Sequence, residues 1–246
     1  MRVVRLVLII LFVGVFLAGL GIYLYPTIYG AVTDNRIESV AESFLDRMES
    51  STGDPAMLSE TVLEETTPMP YAKLWNEMVA YNTQIWMDKQ AGLCDPWSYE
   101  QPSFLLEDYG LDEAFGVLTI PKLELSMPIY LGATHQHLAD GAAHLSQTSL
   151  PIGGTNTNCV IAGHRGWNGA SYFRYITDLQ VGDAVTITNL WETLRYRVCE
   201  VKIIEPQAVQ EILIQENREL LTLLTCHPYA SGGRQRYLVF CERVKE

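Results

Sequence analysis

Between Gly116 and Val244 the chain alternates short apolar runs with turns rich in glycine and proline: Val117 to Ile120, Ile129 to Leu131, Val160 to Ala162, Val185 to Thr188, Leu194 to Ile204, Leu220 to Leu224 and Tyr237 to Val244. Runs this short, closely spaced and bounded by turn residues predict strands, and so many in succession predict a closed or nearly closed antiparallel barrel. Upstream the period changes. Ile37, Val40, Ala41, Phe44, Leu45 and Met48 recur at steps of three and four, and Leu74, Met78, Tyr81 and Ile85 repeat the pattern. This predicts two or three amphipathic helices between Asp34 and Gln90, interrupted at 51–55 and 66–70. Further upstream, Leu6 to Tyr25 is a run of twenty residues without a charge, the length a helix needs to cross a bilayer.

Charge changes the picture in two ways. Arg2 and Arg5 precede the apolar run and Asp34 is the first charge after it, which places the amino terminus in the cytoplasm and the rest outside. A cleaved signal peptide would have a shorter apolar region and a small-x-small site, so an uncleaved anchor is expected. Across 246 residues, 29 acidic residues face 17 basic ones. That balance argues against nucleic acid as a partner, because phosphate binding needs a basic face. Hydrophobic content of 48% suits a globular core, and one domain plus an anchor is the simplest division.

Candidate chemistry gathers where the runs end. The run Leu220 to Leu224 leads to Thr225 and Cys226; a loop with Pro228, Gly232 and Gly233 follows, and Arg236 then opens the run Tyr237 to Phe240. If these strands are neighbours, thiol and guanidinium come together, and a nearby cation favours the nucleophilic thiolate. A proton partner ends another run, Asn158 to Ala162, in Gly163-His164-Arg165-Gly166, and His164 precedes Cys226 by 62 residues. A single Cys or His is most often structural. Three reactive residue types at the ends of apolar runs point instead to catalysis. Arg234 is the rival to Arg236, which is favoured because it adjoins the apolar run. His227 is expected to be a loop residue, since adjacent side chains on an extended chain point apart. His135 and His137 have no cysteine or carboxylate at ligand spacing, so no metal site and no cofactor is expected.

The motifs Thr222-Leu223-Leu224-Thr225-Cys226, Gly163-His164-Arg165-Gly166 and Arg236 resemble those of the sortases, cysteine transpeptidases of Gram-positive surfaces. The resemblance covers Gly116 to Val244 and includes Ile120-Pro121-Lys122-Leu123, Gly141-Ala142-Ala143-His144-Leu145 and Thr148 to Gly154. It implies a mostly β fold, an eight-stranded sortase-type barrel with an N-terminal helical arm and one transmembrane helix. The implied divisions are an anchor at 1–30, an extracellular arm at 31–93, a lid loop at 94–110 and the barrel at 111–246. Catalytic roles fall to His164, Cys226 and Arg236, with Thr225 touching substrate. The triplet Asp95-Pro96-Trp97 is similar to the lid of the pilus-assembling class C members, which implies that Asp95 pairs with Arg236 while Trp97 covers the sulfur.

The resemblance also implies substrates bearing a Leu-Pro-X-Thr-Gly-like signal, cut after Thr through a thioester on Cys226. The acyl group would pass to an amine, a pilin lysine or a cell-wall peptide, at the outer face of the plasma membrane. Many class C members carry a second membrane helix at the carboxyl end, and this chain reaches Glu246 without one, so a housekeeping enzyme stays open as the alternative. A papain-like peptidase is less favoured, because there Cys precedes His in the chain. Of the five cysteines, the four besides Cys226 are expected to be free.

Overall fold

The computed structural model describes residues 2–51, 69–93 and 101–244. The expected lid residues Asp95 and Trp97, with Cys94, lie outside them. Two helices come first, α1 (Arg2–Ser51) and α2 (Ala72–Met87), followed by β1 (Ala114–Ile120), β2 (Leu125–Leu131), the short α3 (His135–Asp140) and β3 (Ala142–His144). Then come β4 (Thr157–Ala162), β5 (Ala184–Asn189), β6 (Thr193–Ile204), β7 (Glu219–His227) and β8 (Gln235–Arg243). The eight strands close into a barrel in the order β1-β2-β3-β4-β7-β8-β6-β5.

The barrel is not wholly antiparallel, which corrects the sequence expectation: β2 pairs with β3, and β4 with β7, in parallel. Parallel neighbours need a crossover rather than a tight turn. For β4 and β7 that crossover is long and includes the whole β5-β6 hairpin, so no local pattern announces the pairing. β3 has only three residues and carries no run of its own.

The apolar runs are explained by burial on two sides. In β7, Leu221 and Leu223 point into the barrel with Leu118, Ile161 and Val239, while Leu224 joins an outer cluster with Val160, Ala162, Leu238 and Phe240. A strand covered on both faces reads as a continuous apolar run rather than an alternation. The polar breaks are paired: the Thr222 hydroxyl donates to Asn158 Oδ1 at 2.7 Å, and Asn158 Nδ2 donates to the Ile212 carbonyl at 2.9 Å.

α1 continues through Pro26 and past residue 30 as one helix, so the apolar run and the first amphipathic stretch share a single rod. Its first part is exposed, from Val3 to Ile28, and its later part buries Ile37, Ala41 and Phe44 at the expected spacing. α2 packs beside it through Leu74 and Met78, against Phe115, Val117 and Leu150. The third buried position of α2 is Asn82, which accepts from the Leu150 backbone N–H at 2.8 Å. Of the segment expected as a lid loop, residues 101–110 are described: Ser146 donates to the Gln101 carbonyl at 2.8 Å, and Leu106 is buried in a short 3-10 turn.

Candidate active site

The parallel register of β4 and β7 builds the site. Thr157 lies opposite Glu219 and Ala162 opposite Leu224, a constant offset of 62, the same offset that separates His164 from Cys226. The pairing persists beyond the strand end. The Gly163 N–H donates to the Leu224 carbonyl at 3.1 Å, and the Thr225 hydroxyl donates to the Gly163 carbonyl at 2.7 Å. One step further, Arg165 donates to Nδ1 of His227, again 62 residues away. His164 is thereby carried to the level of Cys226. On the other side of β7, Cys226 is the register partner of Arg236 in β8. Arg234 lies outside the strand, in the connecting loop.

Alternation then sorts the side chains. Ala162, Leu224 and Leu238 share the outer face of the barrel. Cys226 and Arg236 lie two residues from Leu224 and Leu238 on their strands, which gives both that face, while His164 follows two residues beyond the end of β4. The Cys226 thiol is exposed and Arg236 half-buried. His227 is turned the other way: its ring lies 5.6 Å from that of Tyr237, and the Arg165 guanidinium rests 5.9 Å from the same ring. Burial first, and then the charge of Arg165, hold the His227 imidazole below its usual value.

Glycine makes room over the thiol. Gly233 has φ +79, and a Cβ there would sit 3.0 Å from Arg236 Nη1 and 3.3 Å from Cys226 Sγ. Its carbonyl accepts from Arg236 Nη1 at 2.6 Å and aims the guanidinium, while the missing side chain leaves the sulfur open. Gly163 performs a similar service for His164, since a Cβ would meet the Phe173 ring at 2.8 Å.

The imidazole of His164 is held between two rings, Trp167 at 5.4 Å and Tyr172, edge-on, at 5.6 Å. Burial, with a smaller contribution from the charge of His135, lowers its pKa below the usual imidazole value, which favours the uncharged ring. Sequence reasoning missed Trp167, Tyr172 and Gly233, because single aromatic or glycine residues in a loop have no period to reveal them. Expected against substrate, Thr225 is 1% exposed with its hydroxyl committed to Gly163, so it ties β7 to the approach of His164.

His137 and His144 are held by backbone carbonyls. His137 Nδ1 hydrogen-bonds the Gly132 carbonyl at 2.7 Å, and the ring stacks on Tyr130. His144 is buried, with Nε2 facing the Ser149 carbonyl at 3.0 Å, and desolvation lowers its pKa to about 4. Cys159, Cys199, Cys226 and Cys241 are free thiols, and burial pushes Cys159 and Cys241 well up.

Comparison with known proteins agrees with this geometry. A family model described as "Sortase domain" matches residues 118–244. Sortase D of Bacillus subtilis is 29% identical over 134 residues, 54% of this chain and 65% of the relative. Sortase A of Streptococcus agalactiae is 29% identical over 135 residues, 53% of each chain. The chain thus spans about half to two thirds of the length of these curated relatives. Among solved structures, Streptococcus agalactiae sortase C1 superposes with a TM-score of 0.65 at 32% identity, covering 71% of this chain and 90% of that one. Sortase C-1 of Streptococcus pneumoniae gives 0.64 at 30%, covering 83% and 99%. A pilus-related sortase C of Group B Streptococcus gives 0.61 at 30%, covering 71% and 91%.

Proposed function

The chain belongs to the sortase family, whose members are cysteine transpeptidases, and from that premise we propose that it is a membrane-anchored transpeptidase that cuts a Leu-Pro-X-Thr-Gly-like signal after Thr and joins the acyl group to an amine. The observation that carries this reading is the shared 62-residue offset, which sets His164 level with Cys226 while Arg236 is the register partner of Cys226 from β8.

The neutral imidazole sets the order of proton movements. As Sγ of Cys226 attacks the threonine carbonyl carbon, His164 takes the thiol proton, and charge develops on the carbonyl oxygen, where the Arg236 guanidinium stabilises it. The intermediate collapses to a thioester as the C–N bond breaks, and His164 hands its proton to the departing glycine amine. The incoming amine then attacks the thioester carbon, and His164 accepts its proton and passes it to the departing sulfur, which leaves as the Cys226 thiol. Bonds and protons balance, and the imidazole returns to its starting state.

α1 would anchor the enzyme through Leu6 to Tyr25, with the barrel on the outer face of a Gram-positive plasma membrane. Asp95 and Trp97 would form the lid, pairing with Arg236 and covering Cys226. Such a lid lowers apparent affinity in proportion to the open fraction. Similarity to pilus-related sortase C supports a pilin lysine as the amine; a housekeeping enzyme using a cell-wall peptide amine is the alternative. The test is ligation: a Leu-Pro-X-Thr-Gly peptide is offered with a lysine-bearing peptide or with a peptide ending in a free glycine amine, and the products are weighed. Joining to the lysine side chain, faster in Trp97→Ala, is expected. Joining to the terminal amine alone, at a rate unchanged by Trp97→Ala, would transfer the enzyme to the housekeeping reading.

A further inference from the structure

The loop that carries His164 does not stand by itself. Gly166, Asn168, Gly169 and Tyr172 all hold positive φ, at 80, 48, 89 and 42 degrees, and two of these are residues whose side chains disfavour that region. What holds them is α1. Asp34 Oδ1 accepts from the Ser171 backbone N–H at 2.9 Å, and Asp34 Oδ2 accepts from the Ser171 hydroxyl at 3.2 Å. One turn earlier in the helix, Gly30 lies directly on the backbone of Gly169 and Ala170. A Cβ on Gly30 would come within 2.8 Å of the Ala170 nitrogen and closer still to the Gly169 carbonyl, and one on Gly169 would run into the Pro26 carbonyl oxygen. A glycine on each side lets helix and loop touch.

From this seat the chain reaches both rings that flank His164. Trp167 and Ala170 exchange backbone hydrogen bonds at 3.2 and 2.9 Å, which fixes Trp167 relative to Gly169. Tyr172 directly follows Ser171, and its hydroxyl donates to the Ala139 carbonyl at 2.8 Å. The adjacent Asp140 forms an ion pair with Arg36 of α1 at 2.6 Å. Loop, rings and helix are therefore one connected assembly.

We propose that α1, through Asp34 and Gly30, is a positioning element for His164: it fixes the loop whose Trp167 and Tyr172 set the orientation of the imidazole, so the helix that bears the apolar anchor belongs to the catalytic apparatus. Asp34 touches no reacting atom; it acts through Ser171. This inference rests on the acid–base role of His164 given above, and its test has a readout independent of that role.

The experiment uses the full chain in detergent micelles, with 13C-labelled histidine, the His164 ring resonances being identified by their loss in His164→Gln. Ring currents from Trp167 and Tyr172 make those resonances report ring orientation. Asp34→Ala and Gly30→Ala are expected to move them and to lower kcat of peptide ligation about tenfold or more with KM within about twofold. Asp34→Asn, which keeps an acceptor for the Ser171 N–H, should restore most of kcat and the resonance position. Phe44→Leu, in the same helix but distant from the loop, should lower Tm without moving the resonances or kcat. Unmoved resonances in both Asp34→Ala and Gly30→Ala would overturn the proposal, as would an equal effect of Phe44→Leu. Were His164→Gln to ligate normally, the acid–base reading would fall, and the resonances would still decide whether α1 positions the ring.

Discussion

The guanidinium of Arg236 donates to the Gly233 carbonyl at 2.6 Å and to the Gln235 carbonyl at 3.3 Å, and its residue is the register partner of the exposed Cys226. A planar fork in that position does more than supply charge, because it can direct two N–H groups at one oxygen. Arg236→Lys is therefore expected to lose about 10²-fold in kcat/KM, approaching Arg236→Ala, which steady-state ligation kinetics would measure. Near-wild-type activity in the lysine variant would mean that charge alone suffices. His144 offers a stability test outside the site. Its folded value of about 4 lies below the ordinary 6.5, so the unfolded chain binds a proton that the folded one refuses. Between those values folding stability falls as pH falls, by about 1.4 kcal/mol per pH unit, and the slope ends once the folded form also protonates. Urea unfolding at pH 7 and pH 5 should show a smaller acid loss in His144→Gln than in wild type, the difference cancelling the contributions of other histidines. At this scale the positions of His164, Cys226 and Arg236 at or just beyond strand ends were legible in the sequence, since each closes or opens an apolar run next to glycine or a loop. Trp167, Tyr172 and the binding of the Thr225 hydroxyl to Gly163 were not, because each depends on where a loop folds back, and no local pattern records that.

Among the elements, β4 and β7 matter most, since their parallel pairing turns a 62-residue separation into proximity. Strand positions could be read from the chain, but their pairing directions could not, because a neighbour reached by a long crossover leaves no turn signature. The three residues of β3 were invisible for a simpler reason: a strand that short has no period. Helix α1 was legible as two elements with different textures, an apolar run and an amphipathic one, and is a single helix because Pro26 does not break it. Two substitutions test these contacts. Asn82→Leu leaves the buried Leu150 N–H without its acceptor, and should cost about 1–3 kcal/mol, seen as a lower Tm with kcat unchanged. Gly163→Ala places a methyl group against the Phe173 ring beside His164, and should reduce ligation far more than it reduces Tm.

For the molecule as a whole, charge and anchor agree. Arg2 and Arg5 lie before the apolar run, and the part after it carries 29 acidic against 15 basic residues, a surface suited to water rather than to anionic lipid. The barrel carries Cys226 and Arg236 on one outer face, and the loop bearing His164 is seated on the helix that holds the apolar run. In the proposed reaction Cys226 forms a thioester with the carbonyl of a sorting signal, with His164 moving the protons. The most direct measurement is the intact mass of the full chain in detergent micelles after brief exposure to a Leu-Pro-X-Thr-Gly peptide. Expected is an added mass equal to the peptide up to and including threonine, located on Cys226 by fragmentation, discharged by hydroxylamine, absent from Cys226→Ala and strongly reduced in His164→Ala. An adduct that persists in Cys226→Ala, or forms at an undiminished rate in His164→Ala, would contradict it.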